Sequence, residues 1–167
     1  WMSEGRADNF RSEYFHGVGT DTLTKYVGGG TGAGISARVE AAYQWSSEQA
    51  NIIRRDNPEA TFDFMAVGFS RGSAAARMLL RAINERGIPD FTTKYEESVG
   101  ETGQTVTRYA RNLIEPRQAN LNAVIFDTVA TGFAEFYNLS VPERTQVYHP
   151  IAGDEMITSP VGKAHFC

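Results

Sequence analysis

The sequence contains a Gly-x-Ser-x-Gly element, Gly68-Phe69-Ser70-Arg71-Gly72, between an apolar run and an alanine-rich run. The run before it, residues 61–67, is short, aromatic and nearly free of charge, which is typical of a buried strand. The run after it, residues 73–83, consists mostly of strong helix formers, and Gly87 supplies a stop signal. The sequence therefore predicts that Ser70 lies at a turn from a strand into a helix.

A turn of this kind can expose a nucleophile. A sharp strand-to-helix elbow lifts the serine hydroxyl above the edge of the sheet, and we expect Gly68 and Gly72 to avoid side-chain collisions there. Small residues at the start of the helix, including Ser73, would let it pack close to its strand. The alternative interpretation is a glycine-rich turn in which Ser70 is an ordinary helix-capping residue.

Length and charge limit the class of protein. A chain of 167 residues is long enough for one domain with a substantial core, so we predict a single domain, 1–167. No apolar stretch has the length of a membrane-spanning helix, and no basic segment followed by an apolar core marks a signal peptide. The 20 acidic and 16 basic residues are intermixed, which argues against a nucleic-acid partner.

Cysteine content and the chain ends add two expectations. The single cysteine, Cys167, excludes an intrachain disulfide and a zinc site built from thiolates. No carboxylate and histidine cluster calls for a metal, so we expect no metal and no cofactor. Because Trp1 precedes Met2 and the chain stops abruptly at Cys167, we expect a fragment of a longer protein.

The order of predicted elements indicates an α/β fold. Residues 13–16 read as a short strand before a glycine turn, and apolar residues at helical spacing from Ile35 to Ile53 predict a helix that ends before Pro58. With the elbow and a later strand at residues 121–126, this alternation predicts a mostly parallel sheet with helices on both faces, as in α/β-hydrolases.

Three other segments are assigned from composition. Residues 88–106 are polar and predict a surface insertion, and residues 109–114 predict a short helix before Pro116. The glycine-dense residues 28–34 suggest a phosphate-binding loop at first sight. They lack the Lys-Ser or Lys-Thr of a P-loop and the spacing of the dinucleotide fingerprint, so a flexible loop near the site is the better interpretation.

Candidate catalytic residues follow two strands. Asp127 comes directly after residues 121–126, and His149 follows a short predicted strand at residues 145–148. The order Ser70, Asp127, His149 is that of an α/β-hydrolase triad, with the histidine on a late loop. In this scheme Ser70 attacks a carbonyl, His149 transfers its proton, and Asp127 orients the imidazole.

Alternatives remain for each role. Asp127 could cap a turn, and His149 could be a surface histidine. The competing bases and acids are His16, His165, Asp154 and Glu155. The backbone N–H of Arg71 is the first candidate donor to an oxyanion. The loop at Gly17 and Val18 either supplies a second such N–H or is a plain turn.

Five segments together resemble a known family. They are YFHGVGT at 14–20, GGGTGAG at 28–34, GFSRGSAAAR at 68–77, VIFDTVATG at 124–132 and HPIAGDE at 149–155. In this order they are similar to the α/β-hydrolase domain of bacterial type VI secretion phospholipase effectors. The elbow with its Ala-Ala-Ala-Arg tail is the most specific of them.

The resemblance implies a glycerophospholipid esterase with Ser70 as nucleophile, Asp127 as acid and His149 as base. It implies synthesis in a bacterial cytoplasm, export by a contact-dependent secretion machine without a signal peptide, and action at the target-cell membrane. The implied partners are membrane phospholipid, a component of that machine and a cognate immunity protein.

One departure from the family concerns the oxyanion hole. The Asp-Gly-Thr turn with which the family normally opens is absent, so we expect the second oxyanion donor to be missing or to lie on another segment of the parent protein. We therefore expect these 167 residues alone to be a poor enzyme. Two other functions are kept: a serine esterase acting on a soluble ester or thioester, and a catalytically silent α/β-hydrolase-like binding module.

Overall fold

The computed structural model describes residues 10–16, 33–100, 103–126, 140–150 and 156–159. The helices and strands of these residues are α1 (Ala33–Asp56), β1 (Asp63–Phe69), α2 (Arg71–Arg86), β2 (Ile88–Pro89), β3 (Lys94–Val99), β4 (Gln104–Tyr109), β5 (Asn112–Ile114), β6 (Asn120–Phe126), β7 (Gln146–Pro150) and β8 (Met156–Ser159).

The main sheet has the strand order β1-β6-β7-β8. β1 pairs with β6 in parallel along its whole length, from Asp63 opposite Asn120 to Phe69 opposite Phe126. β6 pairs with β7 in parallel, whereas β8 runs antiparallel to β7. The predicted mixed α/β class with a mostly parallel sheet is therefore confirmed.

One face of this sheet is covered by α2. The side chains of β1, β6 and β7 on this face pack in one core with the buried residues of α2. Among the α2 residues, Leu80 has 0% exposure and Ile83 has 1%. α1 packs in turn against α2 and contributes Tyr43 and Ala50 to the same core. Burial of this apolar surface is the dominant force that holds the helices on the strands.

The opposite face of the sheet differs from the prediction. Alternate residues of β1 point away from α2, and Met65, Val67 and Phe69 are 61%, 39% and 69% exposed. Phe126, the register partner of Phe69, is also exposed. The prediction of helices on both faces is therefore not met in the part of the chain that the structure describes, where both helices belong to one side.

Two predicted elements are wrong. Residues 13–16 have no strand conformation, and residues 109–114, expected to be helical, complete β4 and form β5. β5 pairs antiparallel with β2, so hydrogen bonds to a distant partner outweigh the local preference of this segment.

The strands β3 and β4 form a two-stranded antiparallel ribbon. Every residue of β3 is exposed, and an ion pair between Arg108 and Glu97 joins the two strands on one side, with a distance of 2.7 Å. The polar region predicted as an insertion thus contains regular structure, although its limits as an insertion and the single-domain boundaries stay predictions.

Side chains of α1 form hydrogen bonds with the segment between α2 and β3. The Tyr43 hydroxyl donates a 2.9 Å hydrogen bond to the carbonyl of Gly87, the residue that ends α2. The Asn51 side chain donates to the carbonyl of Pro89 and accepts from the backbone N–H of Phe91, at 2.9 and 2.8 Å. α1 therefore determines where the chain goes after α2.

Candidate active site at the strand-to-helix turn

Ser70 is the single residue between β1 and α2. Its backbone angles are φ 54° and ψ −121°, a conformation that glycine adopts readily and other residues rarely. Holding an L-residue there costs on the order of 1–3 kcal/mol, and such strain is concentrated at functional sites. The predicted sharp elbow at Ser70 is present in the structure.

The capping interpretation of Ser70 is not supported. Ser70 occupies the N-cap position of α2, but its side chain makes no capping hydrogen bond. The residue is partly exposed. Its hydroxyl is thus not used to satisfy the first backbone N–H groups of the helix, which is the role that would make it a structural serine.

The two glycines of the element have different roles. A Cβ added to Gly68 would lie 2.5 Å from the carbonyl carbon of Gly72 and 2.6 Å from Cα of Ser73, so no side chain fits there. A Cβ added to Gly72 would meet no atom of the described residues within 4 Å. The expectation of a collision is confirmed at Gly68, where the first turn of α2 lies against the strand, and is not met at Gly72 among the described residues.

Hydrogen bonds connect this turn to the end of β6. The backbone N–H of Ser70 donates to the carbonyl of Phe126 at 3.0 Å. The Ser73 hydroxyl lies 2.7 Å from the same oxygen and 2.8 Å from the carbonyl oxygen of Gly68. The sequence predicted Ser73 only as a small packing residue, because nothing in a run of small side chains shows that a hydroxyl reaches two strands.

Strand register relates the other triad candidates to Ser70. Val67, Val124 and Tyr148 lie side by side across three parallel strands. In the sequence, Ser70 and Asp127 each follow this row by three residues, and the residues before them, Phe69 and Phe126, end adjacent strands. Asp127 itself lies outside the described residues, and the sheet edge is where parallel α/β folds usually place their sites.

His149 is the residue after Tyr148 and belongs to β7, where it pairs with Ile157 of β8. The expectation that it lies on a loop is therefore wrong for its backbone. β7 is the second strand from β1 in the sheet, so about 10 Å of sheet separate the two strands. The side chain of His149 lies outside the described part of the structure.

The remaining candidates are distributed as follows. His16 is exposed and its ring packs edge-on against Tyr14, with 5.0 Å between the ring centroids. Arg71 is the first residue of α2, so its N–H has no acceptor within the helix and is available to a ligand. The candidates that lie outside the described residues are Gly17, Val18, Asp154, Glu155 and His165.

A buried cation lies on the same helix. Arg77 is only 6% exposed, and burial lowers the pKa of its guanidinium. A charge in the core needs compensating contacts, so Arg77 contributes to the architecture behind the elbow.

Metal-binding clusters and membrane-spanning helices are absent from the described segments. These segments contain no group of three or more His, Cys, Asp or Glu side chains that could hold a metal ion. Neither described helix is long and apolar enough to cross a bilayer.

Comparisons with known proteins identify the family. The model of the T6SS phospholipase effector Tle1-like catalytic domain matches residues 3–141, which include the strand, elbow, α2 and β6 described above. No curated protein and no solved structure matches the chain. Because the family model covers most of the sequence, the chain belongs to the Tle1-like catalytic-domain family of type VI secretion phospholipase effectors.

Proposed function

We propose that this chain is a serine-dependent phospholipase with an α/β-hydrolase fold that cleaves carboxylic ester bonds of membrane glycerophospholipids, as an A-type enzyme does. The observation that carries the proposal is the backbone of Ser70, with φ 54° at the turn from a strand of the parallel sheet into a helix. Family membership supplies the substrate class, since the matching family is one of phospholipase effectors.

In this mechanism Ser70 Oγ attacks the ester carbonyl while His149 accepts the hydroxyl proton. Collapse of the tetrahedral intermediate breaks the bond to the alcohol, which leaves with the proton from His149. Water then attacks the acyl-serine with His149 again as base, and the fatty acid and free Ser70 are released. Asp127 holds the imidazole in the required tautomer and stabilises the imidazolium.

The oxyanion of the intermediate needs hydrogen-bond donors. The N–H of Arg71 fits this role because it follows the nucleophile and has no acceptor within its helix. Gly17 and Val18 are the proposed source of a second N–H. Losing one such donor typically costs about 3 kcal/mol of transition-state stabilisation.

The substitution Ser70→Ala in the full-length protein tests the catalytic role. We expect release of fatty acid from phospholipid vesicles and labelling by a fluorophosphonate probe to be lost, with the circular dichroism spectrum unchanged. Ser98→Ala, which removes an exposed hydroxyl on β3, is the matched control and should behave as wild type. Hydrolysis by a folded Ser70→Ala protein would contradict the proposal.

The same assay separates the other two functions. Cleavage of short-chain esters or thioesters without cleavage of vesicle lipid would show that the substrate is a soluble ester or thioester and not a membrane phospholipid. A folded wild-type protein that the probe does not label and that releases no acid would be a silent binding module. We expect vesicle hydrolysis to exceed hydrolysis of soluble esters.

The biological setting is part of the proposal. The protein is made in a bacterial cytoplasm, passes through the secretion machine, damages the membrane of a rival cell and is neutralised by an immunity protein. Delivery of the wild-type protein into susceptible bacteria should lyse them, and co-production of the immunity protein should restore growth. Equal killing by Ser70→Ala would contradict an enzymatic toxin.

A further inference from the structure

Ser73 is a fully buried residue in the first turn of α2 whose hydroxyl contacts two strands. Its Oγ lies 2.8 Å from the carbonyl oxygen of Gly68 in β1 and 2.7 Å from that of Phe126 in β6. A hydroxyl has one proton, so it is shared between the two acceptors or donated to one at a time. Ser73 thus ties the carboxyl ends of adjacent parallel strands to the helix that follows the elbow.

The carbonyl of Phe126 receives a second hydrogen bond from the turn itself. The Ser70 N–H donates to it at 3.0 Å. When the Ser73 hydroxyl also donates its proton to this oxygen, both lone pairs of the oxygen accept a hydrogen bond. The carbonyl of Phe126 and the N–H of Asp127 belong to one planar peptide unit, so the two hydrogen bonds determine the direction in which the chain leaves β6.

Other buried or half-buried serines in the helices behave differently. Ser47 and Ser46 in α1 each donate to the carbonyl four residues earlier, at 2.9 and 2.8 Å, which leaves the hydroxyl within its own helix. Ser73 instead reaches outside its helix to the two strand ends. Packing alone needs no hydroxyl here, since buried alanines of the same helix, Ala74 and Ala76, fit closely.

We propose that Ser73 is a positioning residue, whose hydroxyl holds the end of β6 at a defined distance and orientation from the nucleophile turn. This inference rests on the proposed function, in which Ser70 attacks and the residue after Phe126 is the acid. Removing the hydroxyl leaves the carbonyls of Gly68 and Phe126 without a shared donor and lets the peptide unit after Phe126 turn. A displacement of about 1 Å in a catalytic group can cost on the order of 100-fold in rate.

The test compares Ser73→Ala with Ser47→Ala in the full-length protein, with phospholipid vesicles as substrate. Both changes delete the hydroxyl of a serine with 0% exposure in a helix, but only Ser73 contacts the strand ends. We expect kcat of Ser73→Ala to fall by about 10- to 100-fold with KM within about twofold of wild type. Ser47→Ala should retain the wild-type kcat, even if urea unfolding shows that the two variants have lost similar amounts of stability.

A kcat for folded Ser73→Ala within about twofold of that for Ser47→Ala, or a change in KM alone, would overturn the inference. If Ser73→Ala does not fold, Ser73→Cys keeps a side chain of similar size with a weaker donor. A folded Ser73→Cys protein with several-fold lower kcat and unchanged KM supports the role, whereas wild-type kcat overturns it. Ser70→Ala distinguishes failure of the proposed function from failure of the positioning role. An active Ser70→Ala protein contradicts the proposed function. An inactive Ser70→Ala protein together with a Ser73→Ala protein of normal activity contradicts only the positioning role.

Discussion

The backbone N–H of Ser70 donates a 3.0 Å hydrogen bond to the carbonyl of Phe126. Phe69 precedes the proposed nucleophile, and Phe126 precedes the proposed acid. These two phenylalanines are register partners on adjacent parallel strands. β1 and β6 therefore reach the same level at Phe69 and Phe126. This relationship joins two parts of the chain that are more than fifty residues apart and gives the proposed site its frame.

The strain at Ser70 can be measured apart from catalysis. Ser70→Gly should be more stable than Ser70→Ala by about 1 kcal/mol, because glycine accepts the positive φ that alanine resists. Both variants should lack ester hydrolysis. Urea unfolding of the two proteins gives the difference, and equal midpoints would indicate that the elbow carries no strain.

Ser70→Ala also addresses the capping alternative. Since the Ser70 side chain makes no capping hydrogen bond, this change should alter the free energy of unfolding by less than about 0.5 kcal/mol. Loss of a true N-cap costs about 1 kcal/mol. A loss of that size in urea unfolding would restore the structural role of this serine.

Gly68 and Gly72 should respond oppositely to alanine. The Cβ of Gly68→Ala would overlap backbone atoms of Gly72 and Ser73, so we expect a loss of about 3 kcal/mol or more of unfolding free energy. Gly72→Ala should raise stability by about 0.5 kcal/mol, because the methyl group has space and alanine favours the helix. Comparable unfolding midpoints for the two variants would contradict the close approach of α2 to β1.

Gly87 and Gly103 form a second matched pair, with φ of 68° and 65°. At Gly87 an added Cβ would overlap the carbonyl oxygen of Ile114, whereas at Gly103 the nearest atom is Ser98 Oγ at 3.9 Å. Gly103→Ala should cost about 1 kcal/mol from backbone strain alone, and Gly87→Ala at least about 2 kcal/mol more. Thermal or urea unfolding measures both losses, and equal losses would show that β5 does not press on Gly87.

The ion pair between Glu40 and Arg86 predicts a modest pH dependence. Arg86 donates a 2.6 Å hydrogen bond to the Glu40 carboxylate, which lowers the pKa of Glu40 from its ordinary value of 4.5. A lowered folded-state pKa means that the stabilisation is present above the unfolded pKa and disappears as the pH falls through the folded value. Both side chains are about half exposed, so the pair contributes less than about 1 kcal/mol.

Glu40→Gln is the corresponding variant. It should be less stable than wild type at pH 7 by up to about 1 kcal/mol, and this difference should shrink as the pH falls through the lowered folded-state pKa of Glu40. Urea unfolding between pH 3 and pH 7 measures the trend. Arg55 and Asp56 form a more exposed pair, and Asp56→Asn serves as the control with a smaller change. A difference for Glu40→Gln that is constant with pH would contradict the ionic contribution.

The sequence by itself determined the elements around the elbow. β1, α2, β6 and the end of α1 follow from local propensity and periodicity, and a serine between a strand and an alanine-rich helix predicted the turn at Ser70. Local patterns failed at residues 109–114, where pairing of β5 with β2 overrides helix preference. They also failed at Gly72, since nothing in the sequence shows which glycine faces the strand.

Only the tertiary structure decided how distant groups meet. The pairing of Phe69 with Phe126 depends on strand register, and register is set by side chains packed across the whole sheet. The two strand carbonyls beside the Ser73 hydroxyl likewise come together only when α2 lies on the sheet. A sequence pattern reports the periodicity of neighbouring residues, whereas these contacts arise from long-range packing. The turn at Ser70 is thus a local property of the chain, and the proposed site around it is a property of the fold.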